Sequence, residues 1–265
     1  MPAPIDPRDE SARQDLVELY RRDRFDHLYA LADLAEPYWS RSRWWRRGDA
    51  AVGLVDLGDD GDHVVYAVST ADPDGSLGLL VELSPHLPSC LVTGPLGAAE
   101  ALRSAGRATV WGRTYHRYHW PLGRRGDAPP ATVRRLGPTD LDAIAALHAT
   151  DPGAAFFVPA MLDDGAFVGV DDGDGGLVAV GGTHVRTPTE AAIGGVLVAP
   201  AARGRGLGRA VTLGVLATLH DDAEAAGLEP PTVGLNCTDR NEPAKRIYLE
   251  LGFTPGLGYE ECELA

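Results

Sequence analysis

The stretch Arg203-Gly204-Arg205-Gly206-Leu207-Gly208-Arg209 follows an apolar, strand-like run over residues 192–199 and precedes an apolar, helix-like run over residues 210–219. Pro200 ends the strand because it cannot donate to a ladder, and the glycines let the backbone turn tightly and approach a ligand closely. Amides at the start of the following helix then point at that ligand, and the helix N-terminus carries partial positive charge. Both favour an anion, and a diphosphate suits the spacing of the turn. Arg203, Arg205 and Arg209 add three full charges within seven residues. Two other glycine-rich phosphate loops are excluded by spacing. A G-x-G-x-x-G reading that starts at Gly204 ends on Arg209, and one that starts at Gly206 ends on Val211. A P-loop needs Gly-Lys-Ser/Thr, whereas the only lysine is Lys245, far downstream.

What remains resembles the R/Q-x-x-G-x-G/A signature of the GCN5-related N-acetyltransferases (GNAT), matched here by Arg203, Gly206 and Gly208. A second block supports the resemblance. Residues 232–237 read as a short strand, and the run from Asn241 through Ala244, Tyr248, Gly252 and Phe253 is similar to that family's N-x-x-A-x-x-x-Y-x-x-x-G-F helix. The resemblance covers about residues 131–265.

It implies an α/β fold with a mixed sheet, acetyl-CoA as cofactor, and transfer of an acetyl group to a primary amine by direct transfer in a ternary complex. The pantetheine arm is expected beside the strand before the loop, against main-chain groups of Val196 and Val198, with an amide near Leu197 facing the thioester oxygen. Gly204 and Leu207 complete the phosphate loop, and Asn236 and Asn241 are the further cofactor contacts. Gly194-Gly195 inside the strand marks a bulge or a close backbone approach.

Acyl transfer to an amine needs a neutral amine, stabilisation of the developing oxyanion and a proton for the departing thiolate. Tyr248 matches the tyrosine that often supplies that proton in this family. For the general base, Glu190 just before the cofactor strand is the carboxylate put forward; His184, Asp163 and Asp164 are other choices, and a water chain is a further one. Asn241 also has the residue type and place of a helix N-cap.

The chain of 265 residues is long for one such fold. Residues 121–130, rich in proline, glycine and charge, read as an exposed linker between an N-terminal domain over 1–128 and a catalytic domain over 129–265. In the second half, strands are expected at 132–136, 166–170, 177–185 and 192–199, with a helix from Pro138 through Leu147. The weakly alternating end, residues 258–264, is expected to close that sheet. In the first half the pattern predicts one helix over residues 12–34 and strands at 50–57, 63–68 and 109–120, which would suit a degenerate GNAT-like copy without a cofactor loop, helping to shape the acceptor cleft. Trp39, Trp44 and Trp45 among Arg41, Arg43, Arg46 and Arg47 read as a half-buried strand or domain interface with arginines outward.

A net charge of −14 disfavours nucleic-acid binding, which needs a basic face. The first 130 residues hold 15 basic and 19 acidic side chains and the remainder 9 and 19, so the half with the arginine loop is the more acidic; such a field suits a cationic amine as well as solubility. No apolar run is long enough for a membrane span, and the N-terminus lacks the basic cap and apolar stretch of a signal peptide. Cys90, Cys237 and Cys262 are widely spaced, which fits reduced thiols in the cytoplasm. No metal is expected: His116 and His119, three apart in a strand, face opposite sides. The expected partner is a small-molecule or peptide amine, and dimers are common among relatives. The other readings are a non-catalytic acyl-CoA sensor and an interaction protein docking a basic partner.

Overall fold

The computed structural model describes residues 2–57 and 63–265, apart from the side chain of Asp164. The chain divides into two compact units, residues 1–117, 238–240 and 256–265 in one and residues 118–237 and 241–255 in the other.

The first unit opens with α1 (Glu10–Arg21) and α2 (Leu28–Asp33), followed by β1 (Ser42–Arg47), β2 (Ala50–Asp56) and β3 (His63–Tyr66). Then come α3 (Pro73–Leu83), β4 (Cys90–Gly94), α4 (Ala98–Ser104) and β5 (Thr109–His119). The single helix expected over residues 12–34 is two helices. Tertiary hydrogen bonds claim the residues between them: the Tyr66 hydroxyl donates to the Asp26 carbonyl, Asp26 Oδ1 accepts from the Leu257 amide, and the His27 ring bridges Tyr66 and Thr70. In β1 the two consecutive tryptophans bury on opposite faces, Trp44 against α1 and Trp45 against α3.

The second unit contains β6 (Val133–Leu136), α5 (Leu141–His148), α6 (Met161–Asp164), β7 (Phe167–Asp171), β8 (Leu177–Arg186) and β9 (Glu190–Val198). It continues with α7 (Leu207–Ala225), β10 (Thr232–Thr238) and α8 (Glu242–Leu251). Its strands lie in the order β10-β9-β8-β7-β6. One face packs on α7 and α8 through Val211, Leu216, Leu219, Tyr248 and Leu251, and the other on α5 and α6 through Ile144, Leu147, Leu162 and Leu197. Most strands are therefore apolar on both sides, as in a sheet covered by helices on both faces. Residues 121–127 pack on α7: the Arg124 carbonyl accepts from Trp120 Nε1 and pairs with His220 Nε2, and Arg125 reaches Asp221 and Glu224. The segment read as an exposed linker is thus tied to the second unit.

The last strand, β11 (Thr254–Leu264), pairs antiparallel with β4, from Glu260↔Gly94 to Leu264↔Cys90. Residues 256–265 therefore belong to the first unit, where the strand order is β1-β2-β3-β4-β11-β5, and not to a catalytic domain spanning 129–265. The reason is packing, since Cys262 and Leu264 complete the core formed by Trp45, Val65, Leu80 and Val92.

The two units repeat one succession. In the first, β1 and β2 are antiparallel, β2 and β3 antiparallel, and β3 and β4 parallel, with α3 in the crossover. In the second, β7 and β8 are antiparallel, β8 and β9 antiparallel, and β9 and β10 parallel, with α7 in the crossover.

Leu264 is fully buried, so Leu264→Ala is expected to destabilise the first unit by roughly 2–5 kcal/mol. Four of the five tryptophans, Trp39, Trp44, Trp45 and Trp111, lie in that unit, so urea unfolding followed by tryptophan fluorescence reports mainly on it. An unchanged transition would contradict the assignment of β11.

Candidate active site

The parallel pair β9 and β10 stays in register for only four positions, Thr232↔Glu190 to Leu235↔Ile193. Beyond them β9 runs on to Val198 and β10 to Thr238, but the pairing stops. Gly195, at φ 60°, opens an irregularity in β9 at the same point, and the register against β8 jumps from Gly182↔Gly194 to Val180↔Leu197. The two strands therefore part and leave main-chain groups of β9 facing the split. The Ala199 amide donates to the Val178 carbonyl, so antiparallel alternation turns the main chain of Leu197 toward β8 and that of Val196 and Val198 toward the split. The main chain of Val196 and Val198, where the pantetheine arm is expected, faces the split. The amide of Leu197 does not: β8 uses it, and its side chain is buried among α5 and α6.

The loop follows at the end of this strand. Gly204 and Gly206 both adopt φ 77°, and a Cβ on either would meet open space. These glycines are therefore required by backbone conformation, with free volume in front of them. Gly206 is the N-cap of α7 in left-handed conformation and supplies no side-chain cap. Helix geometry leaves the amides of Leu207, Gly208 and Arg209 without a partner one turn back, and the Ala210 amide is the first to bond back, to the Gly206 carbonyl at 3.0 Å. No acidic residue lies in the first turn. Arg205 is exposed; Arg203 pairs with Asp151 and its Nε donates to the Val198 carbonyl, while Arg209 meets Asp127 at 3.2 Å. Solvent-exposed ion pairs of this kind contribute about 0–1 kcal/mol, so a phosphate can displace either carboxylate at small cost. The donor set, amides and guanidiniums around open space with no acid in the helix turn, fits a diphosphate.

The matching helix of the first unit is built the other way. Its N-cap is Asp72, whose Oδ1 accepts from the Gly75 amide at 2.9 Å, and Asp74 sits in the first turn. A carboxylate already occupies that amide cradle.

Tyr248, on α8, is 7% exposed and packs between Tyr118 and Phe253 at ring separations of 6.0 and 5.8 Å. Burial, and next to it the neighbouring Cys237 thiol, pushes its phenol well above the usual tyrosine range, so it holds its proton at neutral pH. Asn236 follows directly on the last paired position of β10, at the mouth of the split. Asn241 caps α8, its Oδ1 accepting from the Ala244 amide at 3.2 Å.

Glu190, expected as the general base, is engaged within its own turn. Its carboxylate accepts from the hydroxyls of Thr187 and Thr189, it is 4% exposed, and it begins β9. Five residues of strand, about 16 Å, separate it from Gly195. It staples the turn and does not face the split. Asp163 is exposed on α6, and the side chain of Asp164 lies outside the described residues.

His184 is no ordinary strand residue. Its Nε2 accepts from the Gly195 amide at 3.0 Å, its other nitrogen bonds the Phe156 carbonyl, and the exposed Phe156 ring meets it edge-on at 5.8 Å. The signal in the sequence was the Gly194-Gly195 pair, since a Cβ on Gly194 would lie 2.2 Å from the His184 ring. Burial lowers the imidazole to about 4.

Residues 134–253 match the family model described as the Acetyltransferase (GNAT) family. No curated protein matches the sequence. Among solved structures, a Drosophila protein aligns over 99% of this chain and 97% of its own, with TM-score 0.67 at 19% identity. A GCN5-related N-acetyltransferase from Sphaerobacter thermophilus aligns over 99% and 94%, with TM-score 0.63 at 15% identity. A protein described as a tandem GNAT protein from the clavulanic acid biosynthesis pathway aligns over 99% and 97%, with TM-score 0.55 at 17% identity. At such identities the likeness is one of fold. The chain therefore carries a GNAT acetyltransferase domain over residues 134–253 and has a GNAT-type mixed α/β fold with an additional N-terminal α/β unit. The chemistry this family and fold support is acyl transfer.

His184 carries a pH signature. Its folded value lies below the ordinary 6.5, so the unfolded chain takes up the proton first, and stability present above about pH 6.5 is lost as pH falls toward 4. Between pH 7 and 4.5 the wild type is expected to lose roughly 2 kcal/mol more than His184→Gln, measured by chemical unfolding at both pH values. Equal losses would show that the imidazole is not held neutral.

Proposed function

We propose that this chain is an N-acetyltransferase that transfers an acetyl group from acetyl-CoA to a primary amine by direct transfer in a ternary complex. The observation that carries this reading is the parting of β9 from β10 immediately before the glycine-arginine turn that opens α7. Acetyl-CoA, when bound, would supply the activated thioester. The amides and arginines of residues 203–209 hold its diphosphate, and the main chain of Val196 and Val198 offers hydrogen bonds along the split. Asn236 and Asn241 line the side formed by β10 and α8. By its match to the family's helix motif Tyr248 is assigned as the donor to the departing thiolate, and its phenol is protonated at neutral pH. With Glu190 stapled in its turn, the acceptor amine loses its proton to solvent through water.

The first unit is a second copy of the same fold whose phosphate site Asp72 has closed, so the cofactor binds once per chain. This is supported by the repeated pairing succession and by the tandem GNAT likeness. A cytoplasmic location suits Cys90, Cys237 and Cys262, buried thiols that form no disulfide with one another. No helix among the described residues is long and apolar enough to cross a membrane.

The test is thiol release from acetyl-CoA across a panel of small amines, amino acids and peptides. Amine-dependent release is expected; release no faster than hydrolysis with every amine, on protein that binds the cofactor, would favour a sensor. In the active assay Tyr248→Phe is expected to lower kcat about 100-fold and leave the KM for acetyl-CoA within a factor of about two. Unchanged turnover in that variant would remove Tyr248 from the mechanism.

A further inference from the structure

Along β8 and β9 the register runs Thr183↔Ile193 and then Val185↔Ala192, so two steps on β8 face one on β9 and His184 is the extra residue. Just beyond, β9 has its own extra residue, since Gly182↔Gly194 is followed by Val180↔Leu197. The two irregularities face each other, and the His184 ring fills the space between them. It lies over Gly194, where a Cβ would come within 2.2 Å of it, and its Nε2 takes the Gly195 N–H at 3.0 Å. Because Nε2 accepts, Nδ1 carries the proton and donates to the Phe156 carbonyl in the loop between α5 and α6. One ring thus binds the bulge of β9 to the loop that runs past it.

We propose that His184 is a positioning residue for acyl transfer, holding the β9 bulge in the register that turns the main chain of Val196 and Val198 toward the split. The inference rests on the acyl-transfer reading above. Both ring nitrogens are committed to protein main chain, which leaves neither a lone pair nor a proton for an acceptor amine, so the residue acts through β9. A strand that loses its extra residue slips by one, and a slip by one exchanges the two edges of its main chain and the two faces of its side chains. Val196 and Val198, now packed toward α7, would turn over, and their amides would face β8. The Gly195 N–H is the group that a relaxed ladder would reclaim, and the imidazole is what occupies it.

The test separates acceptor chemistry from bulk. His184→Phe keeps a ring over Gly194 but offers no acceptor, whereas His184→Gln offers an amide oxygen near the position of Nε2. In the phenylalanine variant kcat is expected to fall at least about 10-fold. The dissociation constant for coenzyme A, measured by calorimetry, is expected to stay within about threefold. The glutamine variant is expected to recover kcat to within about threefold of wild type, a rescue that simple filling would not give. A second readout needs no variant to fold: amide hydrogen exchange in the wild type is expected to find Gly195 protected, and rapid exchange there overturns the proposal. Full turnover in His184→Phe, or equal losses in both variants, overturns it while leaving the acyl-transfer reading intact. A wild-type chain that releases no thiol with any amine overturns both.

Discussion

Two parallel strands that pair for four positions and then separate are the constraint on which the rest of the second unit depends. A split in a sheet exposes hydrogen-bonding groups that a continuous ladder would satisfy, and such groups are costly to leave without partners. Under the proposed function, an extended ligand supplies the missing partners. The same separation lets β9 deliver the backbone into Gly204 and Gly206 and so into the first turn of α7, where three amides point outward. The glycine turn and the parted edge of the strand are thus contiguous. Burial on both faces, by α7 and α8 on one side and α5 and α6 on the other, holds the strands firmly enough for the split to persist.

Both units have a helix in the crossover of a parallel strand pair, with the same pairing before it. In the second unit that helix starts with a left-handed glycine and no acid; in the first it starts with Asp72, which spends its carboxylate on the amide a ligand would use. The helix start of the first unit is capped by its own side chain, and that of the second is not. The first unit instead invests in a polar core, in which the Arg117 guanidinium is buried against the rings of Tyr29, Tyr66 and Tyr259.

Most of the second unit could be read from the chain because its signals are local. Glycines at 204 and 206 flanked by arginines, a proline after an apolar strand, and Asn241 seven residues before Tyr248 each report a nearby backbone conformation. What could not be read was set by distant contacts. The break after α1 exists because Asp26 and His27 bond residues far along the chain, and β11 lies in the first unit because β4 needs a partner. Glu190 looked like a base by position alone, but two neighbouring threonines had already engaged it. His184 lay in a plain strand pattern; only the facing glycines hinted that its ring was folded onto the bulge. Leu197 was assigned the wrong edge of its strand because an irregularity at Gly195 shifts the alternation by one.

The most direct measurement is a calorimetric titration of the intact protein with coenzyme A, beside Gly206→Val, which places a β-branched residue at φ 77° in the turn. One equivalent is expected to bind per chain, with the heat lost in a variant that still folds. No heat with the wild type, or undiminished binding by the valine variant, would contradict this.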